Sequence, residues 1–389
     1  MAEISIVQAE PKKPIYFPDL DGWRFVAFLA VFLFHAFYTD NESIRNETAY
    51  IVIKRLTVNG TLGVEFFFVL SGFLIIYLLI AEREQTGLID IRKFYLRRVL
   101  RIFPLYYLCL FIGFVLLPYS RSYLGSQQYA TPDWRYYIFF FSNFDGATEH
   151  LGPVEATLGV LWSVSIEEQF YLTVPFILLL VSLRWYPWLF ISGIAVSLVF
   201  RALNLDNEIL LSRHTLSFTG NLAIGGLAAY CSISSSRFVK YFKDLNPYVI
   251  KCFYVLIGVM FFFQGEIFAL NSRMQIFQVP VMAALFGFII LEQVYSKNSF
   301  FKMRNNRVFS VLGRYTYGLY CLHVLAMAIG HMVVTKMSMN TTIWHIILIE
   351  TPFNLGLALI IAYISYTFYE APFLRLKAKF SFQQHETRS

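Results

Sequence analysis

Ten runs of 17 to 26 mostly apolar residues divide this chain, and no water-soluble core has room for them all. They fall near 23–39, 61–81, 102–118, 161–183, 187–203, 210–232, 248–264, 275–295, 311–334 and 344–369. About 20 such residues in a helix cross the hydrocarbon of a bilayer, where only helices and closed barrels satisfy their own backbone. Of the 389 residues, 57% are hydrophobic and 15% charged, against about a quarter charged in a soluble domain. The fold class is therefore read as all-α: a polytopic integral membrane bundle of about ten transmembrane helices in a lipid bilayer.

Charge orients the bundle. Basic residues gather at Lys12–Lys13, from Arg83 to Arg101, from Arg237 to Lys243, from Lys297 to Arg314 and from Arg375 to Lys379. Ten crossings put all five groups and both termini on one side, which the positive-inside rule makes the cytoplasm. An eleventh apolar patch, 134–144, is short. Counting it as a crossing would send the later groups to the other side, so it reads as interfacial or re-entrant. The net charge of +7 thus marks topology, and no nucleic-acid partner is expected. The first 22 residues carry four acids, three prolines and two lysines, unlike a cleavable signal peptide. The division expected is a cytoplasmic segment 1–15, a membrane domain 16–374 and a cytoplasmic tail 375–389. Cys109, Cys231, Cys252 and Cys321 lack metal-like spacing, so they read as small core residues and no metal is expected.

Ionisable residues inside spans cost free energy and mark function by default. Arg24 and His35 share the first run, 11 residues apart. At about 100° per residue they lie on one helix face, separated by about 16 Å. A cation near the cytosol with an imidazole above it suits a path from a donor to a reaction centre. The competing reading makes Arg24 an anchor paired with Asp21, and His35 a packed histidine. His35 also opens an H-x4-D pattern ending at Asp40, which is treated as chance because residues five apart do not share a face. Arg97, Arg98 and Arg101 form a basic face, suited to phosphates through bidentate guanidinium forks or to ordinary membrane anchoring. Glu167 and Glu168 enter the fourth run, and Glu167 is the carboxylate expected to orient His35 or a sugar hydroxyl. Glu65, Glu168, Tyr320 and His323 are read as a substrate-contacting or structural polar network; around Tyr320 and His323 the packed, hydrogen-bonded reading is favoured. Between 119 and 160, aromatic residues such as Trp134, Tyr136 and Tyr137 accompany Asn143, Asp145, Glu149 and His150. Sugar contact and an interfacial aromatic belt both explain them. No G-x-S-x-G, HExxH, P-loop or G-x-G-x-x-G occurs, and Gly225-Gly226 reads as close helix packing.

Several of these stretches together resemble the acyltransferase-3 family of bacterial membrane O-acyltransferases. The resemblance rests on Leu20–Arg24, the Arg24-to-His35 spacing, Gly63–Leu74, Phe94–Pro104, Trp162–Tyr171, Tyr317–His323 and Tyr369–Phe373, in order from about 16 to 374. It implies a ten-span domain in the bacterial inner membrane, an essential Arg24/His35 pair, and donor binding at Arg98 and Arg101, beside which Arg97 is grouped. The donor implied is acyl-CoA, with acetyl-CoA foremost, and the acceptor is a glycan or lipid-linked glycan of the envelope. Nothing follows residue 389, so the stand-alone type, without an attached esterase-like domain, is expected. His35, Arg24 and Glu167 are the expected catalytic set. The alternative is a polytopic glycan or lipid transporter, which would explain the buried charges; such proteins often show two related halves, and none is visible here. A sensor or scaffold gives no reason for Arg24 and His35 on one face.

Overall fold

The computed structural model describes residues 15–37, 39, 41–124, 132–145 and 156–380. The elements that matter are α1 (Pro18–Ala36), α2 (Leu62–Thr86), α3 (Ile91–Phe111), α4 (Leu161–Leu180), α5 (Tyr186–Leu203), α6 (Thr215–Ser234), α7 (Pro247–Ala269), α8 (Gln275–Tyr295), α9 (Thr316–Lys336), α10 (Thr351–Ile364) and α11 (Ala371–Ala378). No strand occurs among the described residues. Nine helical stretches among them are long and apolar enough to cross a membrane. Helix α1 is not one of the nine because Asp19, Asp21 and Arg24 crowd its first two turns, yet ten of its 19 residues are buried in the bundle. Each of the ten apolar runs of the sequence falls on a helix.

Close backbone contact organises the centre. Helices α2 and α6 form the most extensive pair, and α5 packs on the far side of α6. A side chain at Gly72 would strike the backbone of Leu222, and one at Gly225 the backbone of Val69. The glycines let two helices approach more closely than any larger residue allows, the usual device where lipid removes the hydrophobic drive for helix pairing. Gly226 meets Phe190 and Ile76 in the same way, as the Gly225-Gly226 pair foretells. A side chain at Gly313 would strike the backbone of Asp21, so the start of α1 lies against the short helix Arg307–Gly313.

The patch 134–144 forms a five-residue helix, Trp134–Ile138, and a turn at Ser142–Phe144, too short to cross a bilayer. Tyr106 and Tyr107 of α3 donate to the carbonyls of Tyr137 and Ile138 at 2.7 and 3.2 Å. Gln169 of α4 donates to the Phe140 carbonyl and to Asn143 at 2.7 and 2.8 Å. Trp134 and Tyr136 are exposed whereas Tyr137 is fully buried, so this segment is part of the packed structure as well as its surface. Asp40, Glu149 and His150 lie outside the described residues. Cys109 and Cys321 are buried, as expected of core residues, but Cys231 is half-buried and Cys252 exposed. Cys252 sits on α7, a helix with most of its surface turned away from the bundle, where small side chains need no protein neighbour.

Candidate functional site

Helices α1, α2, α3, α4, α9 and α11 surround a cavity of about 290 Å³. Five cationic side chains line it: Arg24, Arg98, Arg101, Arg314 and Lys377. Three carboxylates join them: Asp21, Glu167 and Glu370. Exposure falls along the cavity. Arg314 is exposed and Arg101 and Lys377 are half-buried, whereas Arg98, Tyr171, Ser163 and Tyr320 are buried. Arg314, Arg101 and Lys377 therefore mark the mouth, and Ser163 and Tyr320 the floor.

Each charge is held by identifiable partners. Asp21 pairs with Arg24 one helical turn away and accepts from the Tyr16 hydroxyl at 2.6 Å. Asp19 and Asp21 also suit the first turn of a helix, where the dipole favours negative charge. Glu167 accepts from Ser71 Oγ and the Tyr171 hydroxyl, both at 2.9 Å. Glu370 accepts from Ser365 Oγ at 3.0 Å within a π-helical turn, Ser365–Glu370, that also carries Tyr366 to the wall. Arg98 lies over the rings of Phe94 and Tyr171, 5.6 Å from each centroid, and its buried Nε has no hydrogen-bond partner. A buried guanidinium with spare donors is available to an oxyanion.

The cavity is kept in place from below. Pro104 follows Arg101 in α3, and the hydroxyls of Tyr317 and Tyr369 donate to the carbonyls of Ile102 and Pro104 at 3.0 and 3.2 Å. These bonds tie the arginine-bearing turn to α9 and to the C-terminal helices. The Tyr320 hydroxyl meets Ser163 Oγ at 2.6 Å on the floor.

The structure thus brings Arg24, Arg98, Arg101, Glu167 and Tyr320 together, and separates other residues that the sequence grouped with them. Arg97 turns away from the cavity. It donates to Glu82 at 3.3 Å and to the Phe380 carbonyl at 2.9 Å, with both ionic side chains buried. His35 is exposed and does not line the cavity; its ring lies 5.3 Å from that of His323, whose ring is 6.0 Å from that of Tyr320. Glu167 lines the cavity together with the arginines, whereas His35 does not line it. Glu168 is buried behind Arg98 in a second, apolar groove between α3 and α4, with Oε1 unpartnered. Glu65 accepts from Asn221 of α6 at 3.4 Å, outside the cavity lining. Ser71, Tyr171, Arg314, Glu370 and Lys377 line the cavity but were not singled out as site residues. Tyr171 and Glu370 stand within the quoted motifs; Arg314 and Lys377 had registered only as topological charge.

A polytopic helical bundle with an arginine-walled cavity among its spans defines the class. Residues 17–367 match the family model described as an acyltransferase domain, and the chain belongs to this acyltransferase-3 family. A Staphylococcus aureus (strain COL) protein named "Putative O-acetyltransferase SACOL0978" is 27% identical over 382 residues, covering 93% of this chain and 58% of the relative. O-acetyltransferase OatA of S. aureus (strain NCTC 8325) is 26% identical over 329 residues, covering 80% of this chain and 50% of the relative. The chain thus spans little more than half the length of these relatives. No solved structure matches it.

Proposed function

We propose that this protein is a membrane O-acetyltransferase that takes its acyl group from cytosolic acetyl-CoA and places it on a hydroxyl of an envelope glycan, in a bacterial inner membrane with both termini cytoplasmic. The observation that carries the reading is the cavity's cationic excess, five cations against three carboxylates, with Arg98 buried in its wall. Phosphates of a coenzyme A thioester suit Arg101, Arg314 and Lys377 at the mouth. The named O-acetyltransferases among the relatives support the acyl chemistry.

In this reading the acyl end passes Tyr320 and reaches His35. His35 takes the proton of the acceptor hydroxyl, whose oxygen then bonds to the thioester carbonyl carbon. The carbon–sulfur bond breaks, and the proton passes from His35 to the departing thiolate. Arg98 or Arg24 steadies negative charge on the donor, where a low-dielectric site strengthens the effect. Transporter function would leave the donor chemistry unused, and the acyltransferase family membership weighs against it.

The test uses purified protein in liposomes with radiolabelled acetyl-CoA and an envelope glycan extract. Wild-type protein is expected to label the glycan, and His35→Ala to lower transfer by about 100-fold or more while still binding donor. Transfer by His35→Ala at the wild-type rate would remove His35 from the chemistry.

A further inference from the structure

A histidine that acts as a base must present one bare nitrogen to the incoming proton, while the N–H on its other nitrogen is held in place. A carboxylate or carbonyl often supplies that hold. His35 has no hydrogen bond and no ion pair to a carboxylate among the described residues. Its ring neighbours are Phe34 at 5.0 Å and His323 at 5.3 Å.

His323 is built for the missing role. Its side chain is completely buried on α9. Its Nδ1 lies 2.8 Å from the Tyr320 carbonyl oxygen. A carbonyl can only accept, so Nδ1 carries the proton and, in the neutral ring, Nε2 presents a lone pair. That Nε2 is buried and has no partner. The ring is fixed further by edge contact with Phe28 of α1 at 5.7 Å. An acceptor buried without a donor costs free energy, and the polar ring beside it is that of His35.

We infer that His323 is the positioning residue of His35: its Nε2 accepts the His35 N–H, which turns the other His35 nitrogen, bare, toward the acceptor hydroxyl. For this the exposed His35 side chain must rotate from its ring separation of 5.3 Å until the two rings come within hydrogen-bond reach. When His35 takes up the hydroxyl proton it becomes an imidazolium, still donating to His323, and it returns the proton to the leaving thiolate. His323 itself neither gains nor loses a proton. The Tyr320 carbonyl sets the His323 tautomer while the Tyr320 side chain forms the cavity floor, so one turn of α9 links the donor cavity to the base. This inference rests on His35 being the base.

The experiment compares wild type, His323→Leu and His323→Gln in the liposome transfer assay, with kcat referred to donor-binding protein so that a misfolded fraction does not count. Leu fills the space without an acceptor; Gln keeps an oxygen near the position of Nε2. Leu is expected to lower kcat by about 100-fold with the donor KM unchanged, and Gln to recover at least about tenfold of that loss. Wild-type turnover by the Leu variant, or equal losses in both variants, would overturn the inference. A wild type that transfers nothing would remove the base assignment and the inference together, whereas an active wild type with an indifferent Leu variant removes the inference alone.

Discussion

Arg97 and Arg98 leave α3 in different directions, about 100° apart around the helix. Arg97 closes a buried ion pair with Glu82, and Arg98 faces the cavity with its Nε unpartnered. Their loss should therefore read out differently. Arg97→Ala orphans the Glu82 carboxylate and is expected to cost about 3–5 kcal/mol of stability, lowering the unfolding temperature in detergent while the folded fraction binds acetyl-CoA normally. Arg98→Ala is expected to leave unfolding nearly unchanged and to weaken donor binding. Equal effects of the two substitutions on donor affinity would contradict this division. Helical arithmetic on the sequence put Arg97, Arg98 and Arg101 on one basic face; in the structure Arg98 and Arg101 line the cavity while Arg97 turns to Glu82. The same arithmetic set Arg24 and His35 in line; it carried no sign that Arg24 lines the cavity and His35 does not, because the cavity's other walls come from other helices.

At the scale of elements, the bundle depends on pairs of helices in backbone contact. Gly225→Leu drives a side chain into the backbone of Val69 and is expected to abolish folded protein, read as loss of the monodisperse peak in fluorescence-detected size exclusion. Gly258 of α7 has nothing within 4 Å of the position a side chain would take, so Gly258→Leu is expected to fold normally. Equal tolerance at both sites would contradict the packing. Gly225-Gly226 was legible as a packing signal, since small residues in an apolar helix have few other uses. Its partner at Val69 was not, because nothing local encodes which distant helix approaches. The π-helical turn at Ser365–Glu370 was equally hidden, though it delivers Tyr366 and Glu370 to the cavity.

For the whole molecule, apolar length alone made the helical spans readable, and the acyltransferase domain spans residues 17–367. Orientation rests on charge asymmetry and is open to direct test. In a protein with its four cysteines replaced, a membrane-impermeant thiol reagent applied to spheroplasts should label Asp206→Cys, between α5 and α6, and spare Lys240→Cys, after α6. The reverse pattern would invert the bundle and put the arginine-walled mouth outside, away from cytosolic thioesters. A mouth that faces the cytosol leaves one question, whether a thioester donor sits there. The decisive measurement is the unfolding temperature of detergent-purified protein with acetyl-CoA and with free CoA, beside Arg98→Ala and Arg101→Ala. Stabilisation of wild type that disappears in both variants is the expected result; no stabilisation by any acyl-CoA, or stabilisation that survives loss of both arginines, would contradict a donor held in this cavity.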